Sequence, residues 1–249
     1  IDLRDFDWDL SIWAKIIEQY QYVPRDKNKP FKQVCELTRA KVPFIRADWF
    51  ISRAALPPLY HEILELPKTD KELEDRLEVN VARNLRDSPG RRVWRSGFLE
   101  SGVSKFNRIV ERHKFRAGAY WKSYDFDSNK GRKNIFENPH GFEHAGGEII
   151  WNLPNGLQAY LLVDSTGKRL DEAPVSIVFT TQGNDPVIRN GLSCMACHTS
   201  GMKEFKDRAS ELHLALKIAP FDNAKDKDFA LALYPDAKIV NALVEQDKE

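Results

Sequence analysis

Cysteine is scarce in this chain: three in 249 residues, an odd number, not spread as a disulfide framework. Bridges are therefore excluded as the basis of the fold, and a chain of this length can bury a core without them. Net charge is almost absent as well. Lys and Arg number 38 against 37 Asp and Glu, a formal balance of +1, which gives no long-range field for nucleic acid or an anionic membrane. No basic run with interleaved aromatics offsets that. No stretch approaches the roughly 18 consecutive apolar residues that span a bilayer. The opening "IDLRDFDWDL" lacks the basic and apolar regions of a secretion leader and reads as the start of a mature or trimmed chain. Repeats and low-complexity tracts are missing too. At 42% hydrophobic and 30% charged residues, the composition excludes disorder and fits one large globular domain, or one with a smaller appendage.

Methionine is rarer still, and its placement is informative. Both methionines, two of the three cysteines and one of the six histidines fall within Gly191 to Met202, "GLSCMACHTSGM". The remaining cysteine, Cys35, is left alone and reads as a buried free thiol, with an intermolecular disulfide as the alternative.

Along the chain, the first part is helical in pattern. "DLSIWAKIIEQY" has Asp9 as N-cap and sets Ile12, Trp13, Ile16, Ile17 and Tyr20 on one stripe. "FIRADWFISRAA" is an aromatic-rich buried segment stopped by Pro57 and Pro58. Thr69 and Glu72 form a capping box at the head of "TDKELEDRL". In "SKFNRIVERH", Phe106, Ile109, Val110 and His113 recur at helical spacing, predicting another helix. From about residue 147 the period changes to two. "EIIWN" and "LQAYLLVD" flank Pro154-Asn155-Gly156 as a hairpin, "DSTGKRL" turns again, and "APVSIVFTT" reads as a further strand. The segments 203–218 and 226–246 are helical in pattern, the second interrupted near Pro235. The expected class is α+β: a helical N-terminal region, a small antiparallel meander, and a short helical C-terminal segment. Residues 1–180 would form one domain and 181–249 a segment packed on it.

Cys194-x-x-Cys197-His198 is the attachment signature of c-type haem. Two thiols add to the haem vinyl groups as thioethers, their spacing sets them about one helical turn apart, and the next histidine is held under the iron as proximal ligand. A thioredoxin-type pair is a competitor, but it needs a strand leading directly into the cysteines, and about a dozen loop-like residues intervene here. A structural zinc site needs four ligands, and only His213 follows the motif. Two simply buried thiols are the third alternative.

The segment "NGLSCMACH" resembles the attachment segment of c-type cytochromes. Through "RADWF", "PPLYHEILELPKTDKELE", "GAYWKSYDF", "GGEIIWNLPNGLQAYLLVD" and "GLSCMACH", most of the chain resembles a group of secreted mono-haem proteins from planctomycetes and other environmental bacteria. That resemblance implies one covalent haem c, export to the periplasm or cell exterior, and natural relatives that continue past residue 249. It leaves the reaction open. The chain departs from small cytochromes in one respect: the methionine nearest downstream is Met202, four residues after His198 and so on its side of the iron.

Among residues that could face the other side of the iron, His144 ranks first. It sits in "EHAGGE", where two glycines let the backbone approach a flat cofactor. His213, beside the Phe205, Leu212 and Leu216 stripe, is the alternative, against a plain reading as a helix-surface histidine. His113, His140 and His61 read as core, loop and helix packing; Tyr124 and Tyr160 are further candidates for the distal side, against a plain reading as core or hairpin residues. Arg112 and His113 suggest peroxidase chemistry, yet as helix neighbours they diverge by about 100° and cannot share one target. Two function classes remain. Electron transfer, to a redox partner the sequence does not name, wants a six-coordinate iron and, as the commoner role of single-haem c proteins, is the favoured expectation. A peroxidase-like or oxygenase-like oxidoreductase wants an open distal position, and nearly 200 residues before the motif leave room for one. A haem-based sensor or assembly subunit is the third.

Overall fold

The computed structural model describes residues 10–22, 29–39, 45–99, 101–116, 118–181, 184–205 and 211–248. Its contacts cluster into two units, 1–66 and 67–249. The segment 181–249 therefore belongs to the same unit as residues 67–180.

The first unit holds α1 (Leu10–Gln19), α2 (Lys29–Thr38), α3 (Ala47–Ala54) and α4 (Leu59–Ile63). Ile16 and Tyr20 of the expected stripe are buried with Ile45, Trp49 and Leu59, and Ile12 and Ile17 pack at the edge. The Tyr20 ring meets Trp49 edge to face at 4.9 Å, a favoured aromatic geometry, while its hydroxyl accepts the Arg46 N–H at 3.1 Å. Asp9 and the Trp13 side chain lie outside what is described. Cys35, on α2, is half-buried rather than buried.

The second unit begins with α5 (Asp70–Arg76) and α6 (Val81–Asp87). The Thr69 hydroxyl oxygen accepts the Glu72 N–H at 3.2 Å, and the Glu72 carboxylate reaches back to the Lys68 N–H at 2.8 Å. The cap read from sequence is thus in place, with its reciprocal bond one residue earlier than usual. A six-stranded antiparallel meander follows: β1 (Val93–Phe98), β2 (Arg108–Phe115), β3 (Gly118–Asp125), β4 (Gly146–Asn152), β5 (Gln158–Asp164) and β6 (Arg169–Leu170), each paired only with its neighbours in sequence. Helices α7 (Leu192–Cys197), α8 (Glu211–Ile218), α9 (Ala224–Leu233) and α10 (Ala237–Gln246) complete it. The architecture is α+β, as expected, and the hairpin at 154–156 and the helix break near Pro235 are where the pattern put them.

Three expectations give way. The "SKFNRIVERH" segment is strand, not helix: residues 108–115 form β2. Both faces of this sheet are covered, so residues 109 to 113 are buried in succession, and a continuous buried run contains the helical spacing by accident. Arg112 and His113 consequently point to opposite faces of the sheet. "APVSIVFTT" is not a strand either. The Pro174 carbonyl accepts the N–H groups of Ile177 and Val178, closing a turn, and only Val178 makes an isolated bridge, to Ser104. Finally, the helix expected over 203–218 is present from Glu211 onward, while 203–205 are not helical.

The two faces of the sheet differ. Against one, Val93, Ile109 and Tyr124 pack with Leu212 and Leu216 of α8 and Leu233 of α9. Against the other, Phe98, Val110, Trp121, Ile150 and Tyr160 pack with Cys194, Met202 and Val244. The first face also carries a fully buried acid. Glu111 accepts hydrogen bonds from Arg95 Nε at 2.5 Å and Tyr124 Oη at 3.0 Å, and lies 2.7 Å from His113 Nε2.

Gly147 shows how tightly β3 and β4 approach. A Cβ there would lie 1.9 Å from the Ser123 carbonyl oxygen, and backbone cannot step aside without parting the strands. Gly147→Ala is expected to cost more than the ~1–3 kcal/mol of ordinary overpacking. Gly141→Ala, where nothing lies within 4 Å, should stay within about 0.5 kcal/mol. Urea denaturation of the two variants checks this.

Candidate functional site

The segment carrying the cysteines is positioned by two local devices. Gly191, at φ +85°, precedes α7, a left-handed conformation that favours glycine. The helix is a short one, ending at Cys197 with His198 as C-cap. Cys194 is buried, and Cys197 and His198 are half-buried. Burial pushes the Cys194 thiol well above its usual range, and the neighbouring Glu148 carboxylate, within hydrogen-bonding reach, pushes it further. An isolated reactive thiolate is therefore not what this site prepares.

His198 is held by its Nδ1, which lies 3.1 Å from the Gly201 carbonyl oxygen. A carbonyl there requires the proton on Nδ1, leaving Nε2 with its lone pair outward, the tautomer a metal ligand needs. The Tyr160 ring sits 5.8 Å from the imidazole.

Cys194, Cys197 and His198 all open onto one cavity of about 460 Å³ between the α7 segment, the sheet, residues 173–180 and Ile188. Its walls are mostly aliphatic and aromatic, among them Phe98, Val110, Trp121, Ile150, Leu162 and Ile177. Size and lining are those of a cofactor site. Gly146 and Gly147 of "EHAGGE" line it, but the crowding at Gly147 is by β3 rather than by open space. A polar corner interrupts the apolar lining, where Arg108, Ser123, Asp125 and Glu148 come together. Burial raises the Asp125 carboxyl above its ordinary value against the pull of Arg108, and Glu148 adds to the rise.

All six histidines and both methionines lie among the described residues, so each candidate has a place. His144 is half-buried, edge-on to Tyr124 at 5.0 Å and Phe142 at 6.4 Å, and does not line the cavity. His213 is buried on α8, its Nδ1 2.7 Å from the Tyr234 carbonyl oxygen, within the core of the opposite sheet face. His113 is fully buried, held by Glu111 and by Asn84 at 3.1 Å. His140 faces Phe229 and Tyr234 beside a second, smaller cavity, and His61 belongs to the first unit. Tyr124 points its hydroxyl at Glu111. Neither distal histidine expected from sequence, His144 or His213, is brought to the cavity that His198 lines. Met202 is: it is buried in the cavity wall.

Sequence reasoning missed the polar corner, because Arg108, Ser123 and Asp125 sit on a segment read as helix and on a strand whose partner was unknown. It also missed a clamp behind the wall. Arg112 donates twice to Asp247, at 2.6 and 2.7 Å, and the Trp121 indole N–H donates to the same carboxylate at 2.7 Å. The guanidinium lies 5.3 Å from the Trp94 ring centre and 6.0 Å from that of Trp121, within range of cation–π attraction.

Among the described residues, no group of three or more His, Cys, Asp or Glu is arranged to hold a metal ion. Comparison with family models finds no match, and comparisons with curated proteins and with solved structures likewise return none.

Proposed function

We propose that this protein carries one haem c in the large cavity, bound through Cys194 and Cys197 with His198 as the proximal iron ligand. The observation that carries the reading is that both thiols and an imidazole held in the tautomer a metal ligand needs open onto the same mostly apolar space. When bound, the group supplies a redox-active iron with a second axial position. The chain's own part is to anchor it, orient His198 through Gly201, and keep water from it with the aromatic wall. Attachment of this kind takes place outside the bacterial cytoplasm, so the proposed location is periplasmic or extracellular.

Between the two function classes, the placement of histidines favours an open second position. None of the other five lines the cavity, which supports a ligand-binding haem oxidoreductase. Electron transfer through a six-coordinate iron is the second reading; Met202 lies in the cavity wall, and this reading needs it to reach the face opposite His198, although it follows that residue by only four positions. Ultraviolet–visible and spin-resonance spectra of the oxidised protein separate them. The expected result is high-spin iron converted to low-spin by cyanide. A sulfur-to-iron absorption band with inertness to cyanide and peroxide would select the electron carrier instead.

A further inference from the structure

The haem reading leaves the polar corner of the cavity without a task. Arg108 Nη2 donates to Ser123 Oγ at 2.9 Å and lies 3.8 Å from Glu148 Oε2. The Ser123 hydroxyl donates to Asp125 Oδ2 at 3.3 Å and accepts the Glu148 N–H at 2.9 Å. Arg108 Nε and Asp125 Oδ1 form an ion pair 3.1 Å apart, but it is not aligned to complete a hydrogen bond. Their side chains are 12% and 4% exposed, so bulk water does not supply one. A buried donor and a buried acceptor held together by charge but not by a hydrogen bond leave bonding capacity that a small guest can take up.

The charge of the corner says which guest. One guanidinium faces two carboxylates, and of the other charged groups on the cavity wall Asp164 and Glu204 are acidic and Lys203 is basic. The excess is negative, so a free anion is repelled, whereas a neutral molecule that can give up a proton is not. We propose that this corner binds small weak acids H–X, hydrogen cyanide and hydrogen peroxide being of this class, with Asp125 Oδ1 taking the proton and Arg108 Nε holding the conjugate base. The H–X bond breaks, the proton becomes the O–H of the Asp125 carboxyl, and the electron pair stays on X. No electron changes hands, and the total charge of the corner with its guest is the same before and after. Burial of Asp125, which raises its affinity for a proton, works in the same direction. The proposal rests on the haem reading, because a ferric centre in the cavity is what makes the conjugate base worth generating.

The test uses the haem-loaded ferric protein and cyanide at a pH where it is present as the neutral acid, with carbon monoxide on the ferrous protein as a ligand that brings no proton. In Asp125→Asn, Arg108 keeps Glu148 as counterion. The cyanide association rate is expected to fall about tenfold or more, the loss of a general base being worth at least that. Carbon monoxide binding should change by no more than about threefold, the scatter left by changes that do not touch the ligand. Arg108→Lys keeps the charge and loses the Nε donor, and should also slow cyanide selectively. It gives an independent answer if the first variant does not fold. Unchanged cyanide rates in the variants overturn the proposal, as does an equal loss for both ligands, which would mean a closed cavity. A wild-type preparation bearing haem but failing these tests sinks this inference alone. One bearing no haem sinks the function proposed above along with it.

Discussion

In protein produced with a c-type maturation system, Cys194→Ala together with Cys197→Ala is expected to leave no haem on the polypeptide after extraction with acidified organic solvent, while the wild-type chain, on the proposed function, is expected to keep all of it. The thioethers are covalent and survive loss of the fold, whereas an imidazole-to-iron bond does not survive acid. The measurement is intact mass with a spectrum of the extracted phase. Each single variant should retain the group through one bond, with the larger loss at Cys194, whose sulfur is buried in the cavity wall. A wild-type mass equal to the bare polypeptide, with no porphyrin in either phase, would overturn the proposed function.

The second large effect lies on the other face of the sheet. Glu111→Ala is expected to destabilise the second unit by about 3–5 kcal/mol, because it strips the counterion from a buried guanidinium. Arg95 is 6% exposed, its Nε bonds to Glu111, and its remaining neighbours, the Pro139 carbonyl and the Tyr234 hydroxyl, stand at 3.5 Å. Among the described residues, no other carboxylate pairs with it. The same pair sets the acid limit of the fold. Burial alone would raise the Glu111 carboxyl, but Arg95 and His113 overcome it and hold the group well below the usual carboxylate range. Its contribution is therefore complete above the unfolded-chain value of about 4.3 and is lost as pH falls below it toward the folded value. Urea midpoints measured from pH 7 to pH 3 should drop steeply at the acid end for the wild type and less so for Glu111→Gln. Equal slopes would show that the buried pair does not govern acid stability.

How much of this could be read from residue order varies with the kind of signal. Periodicity placed α1 and the β4–β5 hairpin, and the Thr69–Glu72 cap placed α5, because each buries a single face or is punctuated by a cap, Pro or Gly; the α3 segment reads only as buried and aromatic-rich, whereas Trp49 is buried there and Ile51 is exposed. It failed at β2, where helices cover one side of the sheet and the cysteine segment the other, so that alternation disappears. The pentapeptide was legible because its chemistry is local: five consecutive residues, with Gly201 three positions further on to fix the ring. The polar corner of the cavity was not, since Arg108, Asp125 and Glu148 come from three strands whose register no local pattern states. His144 was drawn to attention by the glycines after it. Those glycines do line the cavity, but His144 precedes the strand and packs its ring against Tyr124 instead.

The meander has a bearing on how the prosthetic group could be installed. Every strand pairs with the one just before or after it, so the sheet can close its ladder by local steps, without any strand waiting for the C-terminal third of the chain. The proposed attachment segment comes after all six strands and contributes none of its own. Its sulfurs can thus stay in reach of an attachment enzyme while their future binding wall is already assembled, and the docking of α10 by Asp247 onto Arg112 and Trp121 would seal that wall from behind.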